Sequence, residues 1–154
     1  MKLEKLESIV QSIVLECNRL RKAHDAEEKS VAGYVAIFSQ SEKEFKELLK
    51  VTKTLGRIIE ETPPGPVFLI QPMETASGKL RILKIRKPDA AKPQRGDTDY
   101  TLQNYPAFKQ KHLNRSGFQL IQREKFEMIE LMDSRFNVIA YFSNPPVDEQ
   151  LGLR

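Results

Sequence analysis

Leu3, Leu6, Val10, Ile13, Cys17, Leu20 and His24 follow one another at spacings of three and four, which places all seven on one stripe of a helix. Ile9 and Val14 widen that stripe toward a broad packing surface. A seam of this kind is covered either by the helix's own domain or by a second copy of the chain, and about three heptads are marginal for an isolated coiled coil. Residues 1–30 are therefore expected to form an amphipathic helix lying on the domain, with a homodimer through this helix as the alternative partner arrangement.

From Gly33 the period changes. Residues 34–39, YVAIFS, are apolar and aromatic with strand character, and Ser41 with Glu44 forms a capping box at the entrance of a helix. Phe45, Leu48, Leu49, Thr52, Leu55 and Ile59 share one helical face, and the run ends in Thr62, Pro63, Pro64, Gly65 and Pro66. Residues 67–70 and 80–87 read as strands, with Met73 to Gly78 as a hairpin loop. The unpatterned stretch PDAAKPQRG, Pro88 to Gly96, reads as a linker.

A second unit follows. Asp97 to Leu102 has strand character, Asn104 can cap a helix with Pro106 in its first turn, and Gly117 ends that helix. Tyr105, Phe108, His112 and Leu113 share its buried face. Residues 118–122, 126–132 and 137–142 alternate as three strands of an antiparallel meander, and 145–154 reads as an irregular tail. The expected fold class is thus α+β. Two β-α-β-β(-β) units in a mixed or antiparallel sheet, residues 31–87 and 97–144 of a duplicated domain 31–144, follow the amphipathic helix.

Composition narrows the function classes. At 154 residues the chain suits one domain, and its 25 basic against 21 acidic residues leave a mild net charge of +4, fitting an anionic ligand. A single cysteine cannot close an internal disulfide, so a cytoplasmic location is expected, and no apolar stretch approaches a membrane span. Two histidines and one cysteine are too few for an ordinary structural zinc site. His24 and His112, near helix ends, read as structural. GxGxxG, GxxxxGK[ST] and GxSxG do not occur, and the Arg95-Gly96-Asp97 tripeptide is too short to carry meaning.

Lys79, Arg81, Lys84, Arg86, Lys87, Lys92 and Arg95 face only Asp89 in their segment, a local excess of 7 − 1 = +6. Such a run can hold phosphate or carboxylate, or it can be a solvated edge strand protected from aggregation. Nucleic acid is an unlikely partner, because aromatics do not interleave the run. Strand alternation then assigns faces. With Tyr100 and Leu102 toward the helix, Asp97, Asp99 and Thr101 point the other way, and with Ile129 and Leu131 inward, Phe126, Met128, Glu130 and Met132 join them.

DTDYTLQNYPAFKQKHLNRSGFQLI followed by MDSRFNVIAYF, residues 97–142, resembles the second module of the vicinal oxygen chelate superfamily of glyoxalases, extradiol dioxygenases and bleomycin-resistance proteins. GYVAIFSQSEKEFKELLKVTKTLG resembles the first module more loosely. The resemblance implies two modules curled around a shared concave site. Where the family opens a strand with a metal-binding histidine this chain has Asp97, with Tyr34 in the first unit, and the resemblance puts Ala140 at the family's glutamate ligand. It therefore implies a metal-free member. LRILKIRKPD to RGDTDY also resembles small prokaryotic proteins without an assigned function.

The sequence reading is a binding protein with no metal or other cofactor, whose ligand is a small, anionic and partly apolar molecule. The candidate ligand-binding residues are Lys84, Arg86, Asp97, Asp99, Phe126, Met128, Glu130 and Tyr141. The alternatives are an enzyme in which Asp97 and Glu130 act as general base or oxygen ligands, and a dimerising interaction module.

Overall fold

The computed structural model describes residues 1–153. Helix α1, Leu3–Ala23, carries Glu4 in its first turn and Arg21 and Lys22 in its last, both favourable to the helix dipole. Leu6, Val10, Ile13, Val14, Cys17 and Leu20 are buried within the chain, each large side chain contributing about 1.5–3 kcal/mol of transfer free energy. The stripe therefore lies on its own domain, and a second copy is not needed to cover it. Arg21 is buried with it: Nε donates to Ala26 O at 2.8 Å, Nη1 to Ser30 Oγ at 2.7 Å, and the guanidinium lies 4.1 Å above the Tyr100 ring. Among the described residues no helix is long and apolar enough to cross a membrane.

The first unit comprises β1 (Ser30–Phe38), α2 (Glu42–Thr52), β2 (Gly56–Thr62), β3 (Gly65–Thr75) and β4 (Gly78–Arg86). Ser41 Oγ accepts from Glu44 N at 3.1 Å and Glu44 Oε1 accepts from Gln40 N at 2.9 Å, so the expected cap forms. The expected helix through Ile59 is corrected, because α2 stops at Thr52 and Gly56 to Thr62 pairs antiparallel with β3. The Leu55 to Ile59 spacing imitates a helix, while Gly56 and the β-branched Ile58 and Ile59 suit the strand that tertiary pairing selects. The expected Met73 to Gly78 loop also shortens: β3 runs to Thr75, and Ala76 and Ser77 alone turn the chain.

The second unit comprises β5 (Gly96–Leu102), α3 (Tyr105–His112), β6 (Phe118–Gln122), β7 (Glu127–Leu131) and β8 (Val138–Asn144). Asn104 Oδ1 accepts from Ala107 N at 3.1 Å, which caps α3. The tail expected to be irregular contains a one-turn helix, α4 (Val147–Gln150), packed near β1.

All eight strands form one mixed sheet in the order β2-β3-β4-β1-β5-β8-β7-β6. Within each unit the first strand pairs parallel with the last, β1 with β4 and β5 with β8, and the others follow antiparallel. β1 and β5 pair antiparallel at the junction, so the two β-α-β-β-β units repeat one connectivity on either side of it. One face of the sheet carries the core beneath the helices, including Val35, Leu83, Tyr100, Ile129 and Phe142. The opposite face carries Ala36, Phe38 and Ile139 with Tyr34 and Tyr141 packed on them.

Candidate functional site

A concavity of about 610 Å³ opens on that second face. Glu60 of β2 and Ile121 of β6 both line it, although these strands are the two opposite edges of the sheet. The sheet must therefore curl around the space. The tail closes one side with Pro145, Val147 and Leu151. Lys84, Arg86, Asp97, Asp99, Phe126, Met128, Glu130 and Tyr141, the candidate ligand-binding residues of the sequence reading, all line this one concavity. Met132, expected with them, lies beyond the end of β7 and is 40% exposed outside it.

Asp97 and Asp99 stand two apart on β5, so both point to the concave face while Tyr100 points into the helical core. They are 6% and 4% exposed. Ser143 Oγ donates to Asp99 Oδ2 at 2.6 Å, whereas Asp97 Oδ1 has no hydrogen-bond partner. Burial is the main cause that pushes Asp97 up to about 8, followed by the neighbouring Asp99 charge, with Arg86 and Lys84 opposing. Burial likewise pushes Asp99 up to about 7 against the pull of Ser143. Tyr34 and Tyr141 are both raised, first by burial and then by the Asp97 charge. Tyr141 donates its hydroxyl to Glu130 Oε2 at 3.0 Å.

Lys84 and Arg86 project from β4 into the same space. The alternative of a solvated edge strand is corrected, since β4 lies inside the sheet between β3 and β1. Its alternation sends Leu83 and Ile85 to the core and Lys84 and Arg86 to the concavity. Burial, then Arg86, lowers the pKa of Lys84. Arg86 lies 4.9 Å from the Phe38 ring centroid. Neither cationic side chain makes an ion pair or hydrogen bond with another described residue. Of the remaining basic run, Lys92 reaches the concavity, whereas Arg95 forks onto Glu44 at 2.7 and 3.0 Å.

The lining residues that sequence reasoning missed include Glu60, Val67, Ile121, Arg123, Lys125 and Ser143, together with the apolar closure from the tail, while Tyr34 and Lys92 were named without being placed in the site. Alternation could have found Ser143, two residues beyond Tyr141 on β8. Glu60 was hidden by the helical reading of β2. Ala140, which the resemblance put at the glutamate ligand, is corrected: it is buried on the helical face with Val138 and Phe142, and Tyr141 is the neighbour that reaches the concavity. Among the described residues no three His, Cys, Asp or Glu side chains come together in a way that could hold a metal ion.

Both histidines lie outside the concavity. His24 Nε2 is 2.9 Å from Asp133 Oδ2. Arg115 Nη1 donates to His112 Nδ1 at 2.8 Å, which leaves Nε2–H to donate to Glu28, while the ring stacks on Phe118.

No protein-family model matches the chain, and no curated protein matches it either. Among solved structures, the structural genomics target Protein EC4020 is similar over 94% of this chain and 92% of its own, with a TM-score of 0.64 and 13% identity. The hypothetical protein BH1468 from Bacillus halodurans C-125 covers 75% of this chain and 94% of its own at a TM-score of 0.45 and 15% identity. The likeness to Protein EC4020 is one of fold.

Proposed function

We propose that the concavity binds a small organic anion with an apolar body. The observation that carries this reading is the pair Lys84 and Arg86, two cations facing one concavity with no carboxylate at ion-pair distance among the described residues. A carboxylate or phosphate can close on these cations, and the Arg86 guanidinium can hold it by two parallel hydrogen bonds. Phe126, Met128, Ile121 and Val67 offer the apolar wall for the rest of the molecule. A volume of about 610 Å³ suits a ligand of drug size or smaller.

The same reading treats the chain as a relative of the vicinal oxygen chelate superfamily. The repeated β-α-β-β-β connectivity around one concave face supports it. In this reading Asp97 and Tyr34 stand where the family opens its strands with a metal-binding histidine, and the site serves binding without a metal.

Isothermal titration of the full chain with 3-phenylpropionate tests the reading. Saturable binding that weakens as salt rises, and that Arg86→Met reduces by about 10-fold or more, is the expected result. Absence of saturable binding by 3-phenylpropionate and by its α-amino counterpart, or binding that Arg86→Met leaves unchanged, would refute it.

A further inference from the structure

Lys84 of β4 and Asp97 of β5 share one row of the sheet, because both are the register partners of Ala36 on the intervening β1. Two strand spacings separate their backbones, about 10 Å. Ala36 contributes only a methyl group between them. Lys84 and Asp97 thus flank β1 on the concave face, an acid and a base that attract each other without forming an ion pair, and neither forms one elsewhere among the described residues. Arg86 stands next on the same face of β4, in the row of Phe38.

Of the other concave acids, Glu60 attracts Lys84, and two are held by hydroxyl groups of the chain. Asp99 accepts from Ser143 Oγ and Glu130 accepts from the Tyr141 hydroxyl. Asp97 alone of these three retains a buried oxygen, Oδ1, with no donor from the chain. A buried acceptor left unmet costs free energy, and a ligand that brings the donor recovers it.

We propose that the ligand of this concavity is a zwitterion, an α-amino carboxylate with an apolar or aromatic side chain, whose ammonium sits on Asp97 and whose carboxylate sits on Arg86 and Lys84. This rests on the anion-binding reading above and adds the second charge. An ammonium fits better than a hydroxyl because it offsets the cost of ionising a carboxylate that is 6% exposed, and charge-assisted hydrogen bonds are about twice as strong as neutral ones. The raised pKa of Asp97 has the same origin, burial first and then the neighbouring Asp99 charge, with Arg86 and Lys84 opposing. The ligand's side chain then lies against Phe126 and Met128.

The test compares L-phenylalanine, L-leucine and L-methionine with their deaminated acids, 3-phenylpropionate, 4-methylpentanoate and 4-(methylthio)butanoate, by isothermal titration of the unmodified full chain. At least one amino acid is expected to bind about 10-fold or more tightly than its deaminated partner, with Asp97→Asn erasing that advantage. Amino acids no tighter than the deaminated acids would overturn the zwitterion and leave the anion-binding reading standing. If 2-phenylethylamine binds as tightly as L-phenylalanine, the carboxylate seat is wrong and the proposal falls as well. Binding of none of the six acids would overturn both readings. The comparison on the unmodified chain needs no variant, so a misfolded Asp97→Asn protein does not rescue the proposal.

Discussion

Ser143 Oγ donates to Asp99 Oδ2 at 2.6 Å with both residues buried, while Asp97, two positions earlier on the same face, keeps Oδ1 without a donor. The two acids share one face of one strand, and both have pKa values raised by burial, Asp97 to about 8 and Asp99 to about 7.

A carboxyl whose folded pKa exceeds its unfolded value stabilises the fold fully only below the unfolded value, near 3.8 here, and loses that contribution as pH rises toward 8. Glu44 and Glu127 act in the opposite sense: their pKa values are lowered, so their contribution is present above their ordinary range and fades on acidification. Asp97→Asn is expected to gain stability relative to the parent between pH 5 and pH 8.5, by about 2–4 kcal/mol, because the parent must keep a proton on Asp97 or bury its charge. Urea denaturation at the two pH values measures this. An equal difference between parent and variant at both would contradict the assignment.

Gly96 opens β5 at a point where a Cβ would meet Ala36 O at 2.3 Å and Ile13 Cδ1 at 2.6 Å. The neighbours are a paired strand and the buried face of α1, and the backbone oxygen cannot retreat without breaking the β1–β5 junction. Gly96→Ala should therefore destabilise the chain by about 2 kcal/mol or more, as overpacking does. A thermal melt within a degree of the parent would show that the junction is looser than this geometry.

The concave face was legible because alternation has a period of two and one face of β5 and of β7 is apolar. Tyr100 and Leu102 fix the direction of Asp97 and Asp99, and Ile129 and Leu131 fix that of Met128 and Glu130. The fold class followed from the same patterns, since the N-terminal stripe and both β-α-β series carry clean periods. What failed was less local. GRIIEET carries Leu55 and Ile59 at helical spacing around it, and only pairing with β3 makes it a strand. Ala140 and Tyr141 differ by one residue in register, and a slip of one exchanges the faces. The closure of the concavity by Pro145, Val147 and Leu151 is a long-range contact with no sequence period behind it.

Arg95 Nη1 donates to Glu44 Oε1 at 2.7 Å and to Phe38 O at 3.0 Å, and Nη2 donates to Glu44 Oε2 at 3.0 Å. The fork ties the segment entering β5 to the first turn of α2 across the two units, with both side chains about four-fifths buried at 22% and 21% exposure. A double-mutant cycle of Glu44→Gln and Arg95→Met should yield a coupling of about 1–2 kcal/mol, above that of an exposed pair. A coupling near zero in urea denaturation would reduce the fork to a surface contact.

Helix α1 touches β8, β1 and β5, so it bridges the junction between the two units and does not sit on either alone. Removal of residues 1–24 would uncover Val35, Ile37, Tyr100 and Val138 together, an apolar patch that a folded chain in water does not tolerate. The shortened chain is expected to aggregate in size-exclusion chromatography. Leu20→Ala is a gentler probe of the same contact: Leu20 is wholly buried, and its truncation should cost about 2–5 kcal/mol. Because the stripe is covered within the chain, the melting temperature of Leu20→Ala should fall by the same amount at every protein concentration, with Leu15→Ala, at 53% exposure on the outer face, as the neutral control. A melting temperature that climbs with concentration, and a Leu15→Ala effect as large as that of Leu20→Ala, would instead mean that a second copy covers the helix.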